Sequence, residues 1–411
     1  MKYLALAFLV LSSVAFADVR QVDDYHWEGV ERIVAIGDLH GDYENYLAAL
    51  KAAGLVDRRG KWTGGETHLV QTGDLPDRGP DTGKIIEHIQ RLGKQAHRKG
   101  GQVHNLIGNH EAMNVYGDLR YVHEGEYEAF TTRRSEALRD RYFDLYMQSL
   151  EANAPERIAE LPEDFRDRWN AQHPLGWVEH RQAWDLAWDP EAEYGTWVLG
   201  NKVAVRVNDA IFLHGGISGY YCQNSLESLT EMVVSALRRF DPKKPGILED
   251  EYGPLWYRGL SGEEPQAPTE TVDAILANHG AKHIVVGHTP TSGVIWPRYE
   301  GRVIMIDTGI SSAYGGRVAY LEITPEGIFA GYPSGKIPLP TGDDDRIAYL
   351  EKVVAQSPDN PYLRQRLQLL REPPPPPEEP ATDTDAAAAS NAGAAAEEDV
   401  AGRMPICGIS P

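Results

Sequence analysis

The sequence contains very little cysteine. Its 411 residues include only two, Cys222 and Cys407. A small fold held together by several disulfides is therefore excluded, and the core must be hydrophobic. In an oxidising compartment the two cysteines can pair. They can equally be a buried small hydrophobe at 222 and an exposed thiol at 407, and both arrangements are compatible with the sequence.

Basic residues are also scarce. The chain has 40 Lys and Arg against 61 Asp and Glu, which gives a formal net charge of −21. Binding to nucleic acid or to an anionic membrane surface needs a basic face, so this charge argues against both partners. Any phosphate group that the protein holds must be held by local cations.

Long apolar runs are absent as well, and none reaches the ~20 residues that a membrane span needs. Residues 1–17 combine Lys2, an apolar stretch over 3–10 and the small-residue ending Ala15-Phe16-Ala17. This pattern predicts a cleaved signal peptide; a membrane anchor is the less favoured alternative because the run is short. We expect a soluble periplasmic or secreted protein that begins near Asp18.

Short apolar segments alternate with helical patterns, which predicts an α/β fold with parallel strands. We expect the segments at 303–306, 318–323 and 328–332 to form antiparallel strands that cover one face. The predicted strands are 33–37, 66–72, 102–107, 196–199, 203–207, 210–214, 283–286, 303–306, 318–323 and 328–332. The predicted helices are 43–53, 80–99, 133–150, 226–239 and 269–279. Helical spacing returns over 346–370, as one helix or as a helical hairpin that turns at 357–361.

Changes in composition divide the chain into segments. The main domain is predicted at 18–340, and it contains a charged, helical insertion at 114–195. That insertion is either a lid that contributes to specificity or a passive solvated bundle. A C-terminal helical segment follows at 341–371, and a Pro-, Ala- and acid-rich tail at 372–411 is predicted to be disordered.

Three predicted strands end in the same way, with a glycine followed by polar side chains. The central residues of these endings, Asp38, Asp74 and Asn109, are 36 and 35 positions apart. Asp, His and Asn are ligands of Mn²⁺, Fe and Zn²⁺, and a carboxylate can bridge two ions. One isolated Gly-Asp is better explained as a turn, but three in succession favour a two-metal hydrolase.

The motifs resemble those of the PPP-type metallophosphatases within the calcineurin-like phosphoesterases. The resemblance covers roughly residues 32–332 and is strongest to the bacterial Shewanella-like phosphatases. It implies an αββα sandwich with a helical insertion. The matching segments are Gly37-Asp38-Leu39-His40-Gly41, Gly73-Asp74-Leu75-Pro76-Asp77-Arg78-Gly79, Gly108-Asn109-His110-Glu111, His214-Gly215-Gly216 and Gly287-His288-Thr289-Pro290.

The resemblance also implies a ligand set for two divalent ions. Asp74 would bridge them, and Mn²⁺ is expected, with Fe or Zn²⁺ as alternatives that the same ligands suit. The implied ligands are Asp38, His40 and Asp74 for one ion and Asp74, Asn109, His214 and His288 for the other.

Phosphomonoester hydrolysis needs more than the metals. Two cations can activate a bridging water as hydroxide for in-line attack on phosphorus. Arg78 and Arg258 are the candidates for binding the phosphate oxygens, because guanidinium can do so bidentately. His110 is the expected proton donor to the leaving group, with Asp77 holding its imidazole and Glu111 supporting the turn.

Three classes of function are compatible with these residues. A protein phosphatase is favoured, because Pro290 replaces the second histidine of related phosphodiesterases. A small-molecule phosphomonoesterase in phosphate scavenging is the alternative, and a non-catalytic metal-binding scaffold is least favoured because no ligand or clamp position is missing. The segment from Asp307 differs from that of eukaryotic Ser/Thr phosphatases, so a phosphotyrosine preference is considered. Trp177 and His180 of the insertion either line the substrate entrance or are structural, and the oligomeric state is not predicted.

Overall fold

The computed structural model describes residues 19–262, 267–372 and 407. The predicted signal peptide at 1–17 and nearly all of the predicted tail at 372–411 lie outside the described residues.

Thirteen strands form two sheets within the described part of the chain. They are β1 Arg20–Asp23, β2 His26–Glu28, β3 Ile33–Ile36, β4 His68–Gln71, β5 Gln102–Asn105, β6 Ala204–Val207, β7 Ala210–Leu213, β8 His283–Val286, β9 Trp296–Arg298, β10 Val303–Met305, β11 Tyr320–Thr324, β12 Gly327–Tyr332 and β13 Gly335–Pro338.

The first sheet has the strand order β13-β12-β11-β3-β4-β5, and the second has the order β1-β2-β6-β7-β8-β10-β9. Strands β3, β4 and β5 are parallel, with Ile36, Gln71 and Asn105 in register at their carboxyl ends. Strands β7, β8 and β10 are parallel too, and Leu213 pairs with Val286 at the same relative position. Each sheet therefore brings the loops that follow three strands to one edge.

Helices cover the sheets. They are α1 Tyr43–Ala52, α2 Thr82–His97, α3 Asn109–Tyr116, α4 Glu124–Phe130, α5 Ser135–Asn153, α6 Phe165–Gln172, α7 Trp177–Trp184, α8 Glu193–Leu199, α9 Leu226–Arg238, α10 Thr269–His279, α11 Arg346–Gln356 and α12 Pro361–Arg371, with 3₁₀ turns at Pro155–Glu160, Gly246–Leu248, Ser312–Tyr314 and Asp343–Asp345. Helix α2 packs against β5 of the first sheet and α9 against β6 of the second.

One hydrophobic core includes both sheets. Strand β3 (Ile-Val-Ala-Ile) and strand β7 (Ala-Ile-Phe-Leu) are buried along their whole length, as expected for strands covered on both faces. Fully burying each large aliphatic side chain contributes about 1.5–3 kcal/mol, so these central strands hold the loops at their ends in place. The predicted α/β class and the calcineurin-like sandwich are confirmed.

Two strand predictions are wrong. Residues 196–199 belong to helix α8, because their β-branched and aromatic side chains pack against helices α3 and α7 rather than against a sheet. The segment at 303–306 does not join the antiparallel strands at 318–323 and 328–332. It forms β10, which pairs in parallel with β8 in the other sheet, and its end enters the candidate site.

Cys222 and Cys407 form a disulfide, with their Cα atoms 5.8 Å apart. The bond links position 407 to the loop that follows β7 and His214. Asn278 of helix α10 donates a hydrogen bond to the backbone oxygen of Cys222 at 3.1 Å. Of the two arrangements that the sequence allows, the described residues adopt the paired one. Separately, no helix in the described ranges is both long and apolar enough to cross a membrane.

Candidate dimetal site

Polar side chains from both sheets meet where the parallel strands end. Three of the loops follow β3, β4 and β5, and three follow β7, β8 and β10. Every one of these side chains is buried, which is unusual for charged groups unless they are paired or bind an ion. They are Asp38, His40, Asp74, Asn109, His214, His288 and Asp307.

The structure places the three residues predicted for one ion side by side. His40 Nε2 is 4.0 Å from Asp38 Oδ2 and 3.9 Å from Asp74 Oδ2. His110 Nε2 also approaches Asp74 Oδ2, at 3.8 Å. His40, Asp74 and His110 form one group whose potential ligand atoms all lie within 4.8 Å of one another.

The residues predicted for the second ion form an adjacent group. His214 Nε2 is 2.9 Å from Asn109 Oδ1, 3.0 Å from His288 Nδ1 and 3.3 Å from Asp74 Oδ2. The potential ligand atoms of Asp74, His214 and His288 also lie within 4.8 Å of one another. Asp74 thus belongs to both groups, which is the geometry that a bridging carboxylate requires.

The donor set fits divalent cations. His40 Nδ1 lies 3.1 Å from the Pro76 carbonyl, and His214 Nδ1 lies 3.0 Å from the Thr72 carbonyl. Each Nδ1–H therefore donates to a backbone carbonyl, which directs Nε2 at carboxylate and amide oxygens. A cation placed among these atoms could bind the imidazole nitrogens together with the oxygens of Asp74 and Asn109. A backbone carbonyl that fixes the tautomer is also typical of metal-binding histidines.

Three carboxylates share this buried volume. Burial raises the pKa of Asp38 well above its usual range, and the charges of Asp307 and Asp74 raise it further. Burial likewise raises the pKa of Asp307 to about 6. Asp74 is also buried, but the neighbouring His214 and His110 hold its pKa well below the usual value. Ionising Asp38 and Asp307 is therefore costly in the protein alone, and a bound cation would offset their negative charge.

The backbone is strained at this site. Of the nine described non-glycine residues with positive φ, five are candidate site residues, namely His40, Asp74, Asp77, Arg78 and His288. Such conformations cost of order 1–3 kcal/mol each and persist where the surroundings enforce them. Gly108 is needed for a steric reason, because a Cβ there would overlap Asp74 Oδ1.

His110 belongs by distance to the first group of potential ligands, and Asp77 holds its ring through Nδ1. Its Nδ1 is 2.5 Å from Asp77 Oδ2, and Asn114 Nδ2 donates to Asp77 Oδ1 at 3.0 Å. Burial alone lowers the pKa of His110, but the charge of Asp74 and the hydrogen bond that His110 donates to Asp77 outweigh this effect and raise the pKa to about 9. The imidazolium form is therefore favoured, with Nε2–H available as a proton donor.

Glu111 holds the loops in position. Its two carboxylate oxygens accept hydrogen bonds from the backbone N–H groups of Asp74, Leu75 and Gly108, at 2.8, 2.7 and 2.8 Å. This agrees with the expected role of supporting the turn. It also ties the loop after β4 to the start of helix α3, so Asp74 and Asn109 keep a fixed separation.

The two predicted phosphate-binding arginines lie at the exposed mouth of the site. Arg78 donates its backbone N–H to the Tyr121 carbonyl at 3.0 Å. Its guanidinium carbon lies 4.1 Å from the centroid of the Tyr121 ring. Arg258 donates through Nη1 to the His288 carbonyl at 2.8 Å and to Thr289 Oγ1 at 2.9 Å. Both guanidinium groups are thus fixed close to metal-site residues while remaining accessible to solvent.

Two aromatic side chains of the insertion, Trp177 and His180, lie away from the site. Trp177 is buried among Tyr142, Trp188 and other rings of the insertion itself. His180 is fully buried, with its Nε2 3.2 Å from Glu126 Oε1. The idea that Trp177 or His180 lines the substrate entrance is wrong, because both pack inside the insertion and have no exposed face to offer.

Sequence reasoning missed three residues at the site. Asp307 follows the apolar strand β10 as Asp38 follows β3, and this repeated strand-then-aspartate pattern was the available signal. Tyr121 and Tyr314 contact Arg78, His110 or His40. No sequence signal marks these two tyrosines, since each lies in a loop whose position is set by tertiary contacts.

Comparison with known proteins agrees with this fold and site. The family model described as calcineurin-like phosphoesterase matches residues 31–292. The chain belongs to this family of metallophosphoesterases.

Individual proteins similar to this chain give a more specific comparison. Shewanella-like protein phosphatase 2 of Arabidopsis thaliana is 31% identical, over 69% of this chain and 73% of that protein. An uncharacterised protein of Schizosaccharomyces pombe is 34% identical, over 71% of this chain and 77% of its own length. A crystal structure of the cold-active protein-tyrosine phosphatase of a Shewanella species aligns with a TM-score of 0.57 and 27% identity, covering 78% of this chain and 83% of that one. The chain is thus similar to the Shewanella-like protein phosphatases.

Proposed function

We propose that this protein is a dimetal-dependent phosphomonoester hydrolase that acts on phosphoproteins, with a preference for phosphotyrosine. The observation that carries the proposal is the position of Asp74, whose carboxylate belongs to two adjacent groups of potential metal ligands. Asp38, His40 and Asp74 would hold one divalent ion. Asp74, Asn109, His214 and His288 would hold the other, and we propose Mn²⁺ as the native metal, with Fe or Zn²⁺ as alternatives.

Two bound ions would supply an activated water for in-line attack on phosphorus and would offset the charge that develops on the phosphoryl oxygens. The protein residues contribute the rest. Asp38, Asp74 and Asp307 concentrate negative charge where cations are required, and the backbone contacts of His40 and His214 keep their Nε2 atoms free for binding.

His110 is proposed as the proton donor to the leaving oxygen. The hydrogen bond at 2.5 Å between its Nδ1 and Asp77 orients the ring and stabilises the imidazolium form. Asn114 completes this arrangement by fixing the second oxygen of Asp77. The proton on Nε2 then faces the same volume as Asp74, where the scissile bond would lie.

Arg78 and Arg258 are proposed to bind the non-bridging oxygens of the phosphate. Planar guanidinium groups can donate two parallel hydrogen bonds to a phosphoryl group. Both side chains are exposed, and this open mouth suits a phosphate that is carried on a large molecule. Similarity to the Shewanella-like protein phosphatases supports a phosphoprotein substrate, and similarity to the Shewanella protein-tyrosine phosphatase supports phosphotyrosine.

The test is a comparison of kcat/KM for the metal-loaded chain on matched phosphotyrosine and phosphoserine peptides, with a nucleotide monophosphate alongside. We expect the phosphotyrosine peptide to be hydrolysed with the highest kcat/KM. Equal or faster hydrolysis of the nucleotide would overturn the assignment and indicate a scavenging phosphomonoesterase with the same metal chemistry.

We also propose that the chain is exported to the periplasm or secreted, on the basis of the signal-like residues 1–17. The test is the N-terminal sequence of the protein purified from its native host. Cleavage after Ala17 supports export. An intact Met1 in a cytoplasmic fraction would contradict it.

A further inference from the structure

An aromatic row crosses the mouth of the metal site. The Tyr314 ring packs on His40 with centroids 5.0 Å apart, His40 packs on His110 at 4.8 Å, and His110 packs on the Tyr121 ring at 5.2 Å. The two tyrosines are therefore the outer members of a continuous line of rings. The two histidines in the middle of that line face the metal groups.

Arg78 links the two tyrosines. Its guanidinium carbon is 4.1 Å from the Tyr121 centroid and 6.0 Å from the Tyr314 centroid. The two rings are thus separated by no more than the sum of those distances. A phosphate held by Arg78 can carry its organic group outward past these rings, because the inner side of the site is occupied by buried side chains.

The Tyr314 loop is held in place before any substrate arrives. Asp42, which caps helix α1, accepts hydrogen bonds from Ser312 through its backbone N–H at 2.8 Å and its Oγ at 2.7 Å. Ser311 Oγ donates to the His40 carbonyl at 3.3 Å. Tyr314 itself remains 37% exposed, so part of its ring is available to a ligand at little ordering cost.

We propose that Tyr314 and Tyr121 are the residues that determine specificity at this site, and that their rings pack against the phenyl ring of phosphotyrosine. This inference rests on the proposed function. An aromatic substrate ring gains an edge-to-face or offset contact with a tyrosine ring, whereas the single methylene of phosphoserine does not. Tyr314, together with Tyr121 from the start of the insertion, thereby forms the aromatic wall of the site, whereas Trp177 of the insertion does not contribute to it.

The contact predicts a selective loss of activity in Tyr314→Ala. A single aromatic pair accounts for roughly a two- to thirteenfold effect. We expect kcat/KM for a phosphotyrosine peptide to fall by about that factor, while kcat/KM for the matched phosphoserine peptide stays unchanged. Tyr314→Phe keeps the ring and should retain the wild-type ratio.

The matched control is Tyr146→Ala. Tyr146 is exposed to nearly the same extent, 38% against 37% for Tyr314, but it lies in the insertion and packs against Phe165. Tyr146→Ala should leave kcat/KM for both peptides unchanged. An equal loss of kcat/KM for both peptides in Tyr314→Ala, with metal content intact, would show that Tyr314 does not contact the phenyl ring of the substrate. That result would overturn the inference.

A binding measurement separates this inference from the proposed function. Calorimetric titration of the metal-loaded wild-type chain with phenylphosphonate and with methylphosphonate needs no turnover. We expect phenylphosphonate to bind more tightly, by at least roughly the same two- to thirteenfold factor, and the difference to decrease in Tyr314→Ala. If the wild type hydrolyses neither peptide, the proposed substrate class fails, and the two phosphonates still decide whether the tyrosines bind a phenyl ring. Equal binding of both phosphonates to the wild type would overturn the inference.

Discussion

The pair formed by His110 and Asp77 allows a quantitative prediction. Replacing Asp77 by Asn keeps the size of the side chain and its contact with Asn114 but removes the charge that lies 2.5 Å from His110 Nδ1. Both partners are buried, so little solvent screening weakens the pair. Without the carboxylate the imidazolium is less favoured, and the ring loses the contact that orients it.

The expected loss depends on the leaving group. A positioned general acid contributes about 10²–10⁴-fold when the leaving alkoxide is a strong base. We therefore expect Asp77→Asn to lower kcat for a phosphoserine or alkyl phosphate substrate by about a hundredfold or more. For p-nitrophenyl phosphate, whose phenolate leaves without a proton, the loss should be less than about tenfold.

The assay is steady-state kinetics of wild type and variant on the two substrate types at equal metal loading. Asp140→Asn is the matched control, because Asp140 lies in the insertion and pairs with Arg166. It should leave both rates unchanged. An equal loss for both leaving groups would refute the proton-donor role of His110, and an unchanged kcat on alkyl phosphate would refute the role of Asp77.

Three further predictions concern stability. Glu111 accepts three backbone hydrogen bonds through two oxygens, and Glu111→Gln leaves only one oxygen to accept them. The free energy of unfolding, measured by denaturant titration, should therefore fall by about 2–3 kcal/mol. An unchanged midpoint would contradict this prediction. Removing the Cys222–Cys407 bond by Cys222→Ser should lower the free energy of unfolding by about 2–4 kcal/mol, and a thiol assay that finds two free sulfhydryls in the native wild type would count against the disulfide. Burial lowers the pKa of His68 to about 4 and that of its hydrogen-bonded neighbour His104 well below its usual range. The stabilisation from the two neutral rings is complete above about pH 6.5 and should be lost as the pH falls towards 4; roughly 3 kcal/mol of this loss comes from His68, and His104→Gln should show a shallower pH dependence of the free energy of unfolding.

The sequence was most informative where a short motif determines both local structure and chemistry. A glycine followed by Asp38 or Asp74 at the end of an apolar strand predicts a ligand loop, and parallel pairing brings such loops to one sheet edge. The structure places the six predicted metal ligands together for this reason. Asn109 joins them because β5 lies in register with β4.

Other features depend on contacts between distant parts of the chain. Tyr314 reaches Arg78 because Asp42 anchors the loop that contains Ser312. Asp42 and Ser312 are 270 residues apart in the sequence. Residues 196–199 have strand-like side chains, yet packing against helices α3 and α7 makes them helical. Trp177 is aromatic and lies in the insertion, but its packing with other rings, rather than its type, decides that it is buried.

The most direct test of the dimetal proposal is made on Asp74→Asn. Metal content by mass spectrometry and the hydrolysis rate of phenyl phosphate are measured on this variant, on the wild type and on Asp140→Asn. We expect about two divalent ions per chain in the wild type and in Asp140→Asn, with activity that a chelator abolishes and Mn²⁺ restores. Asp74→Asn should lose metal and at least about 10³-fold in rate, because its carboxylate belongs to both ligand groups. Full metal content and full activity in Asp74→Asn, or full activity of metal-free wild type, would contradict the dimetal proposal.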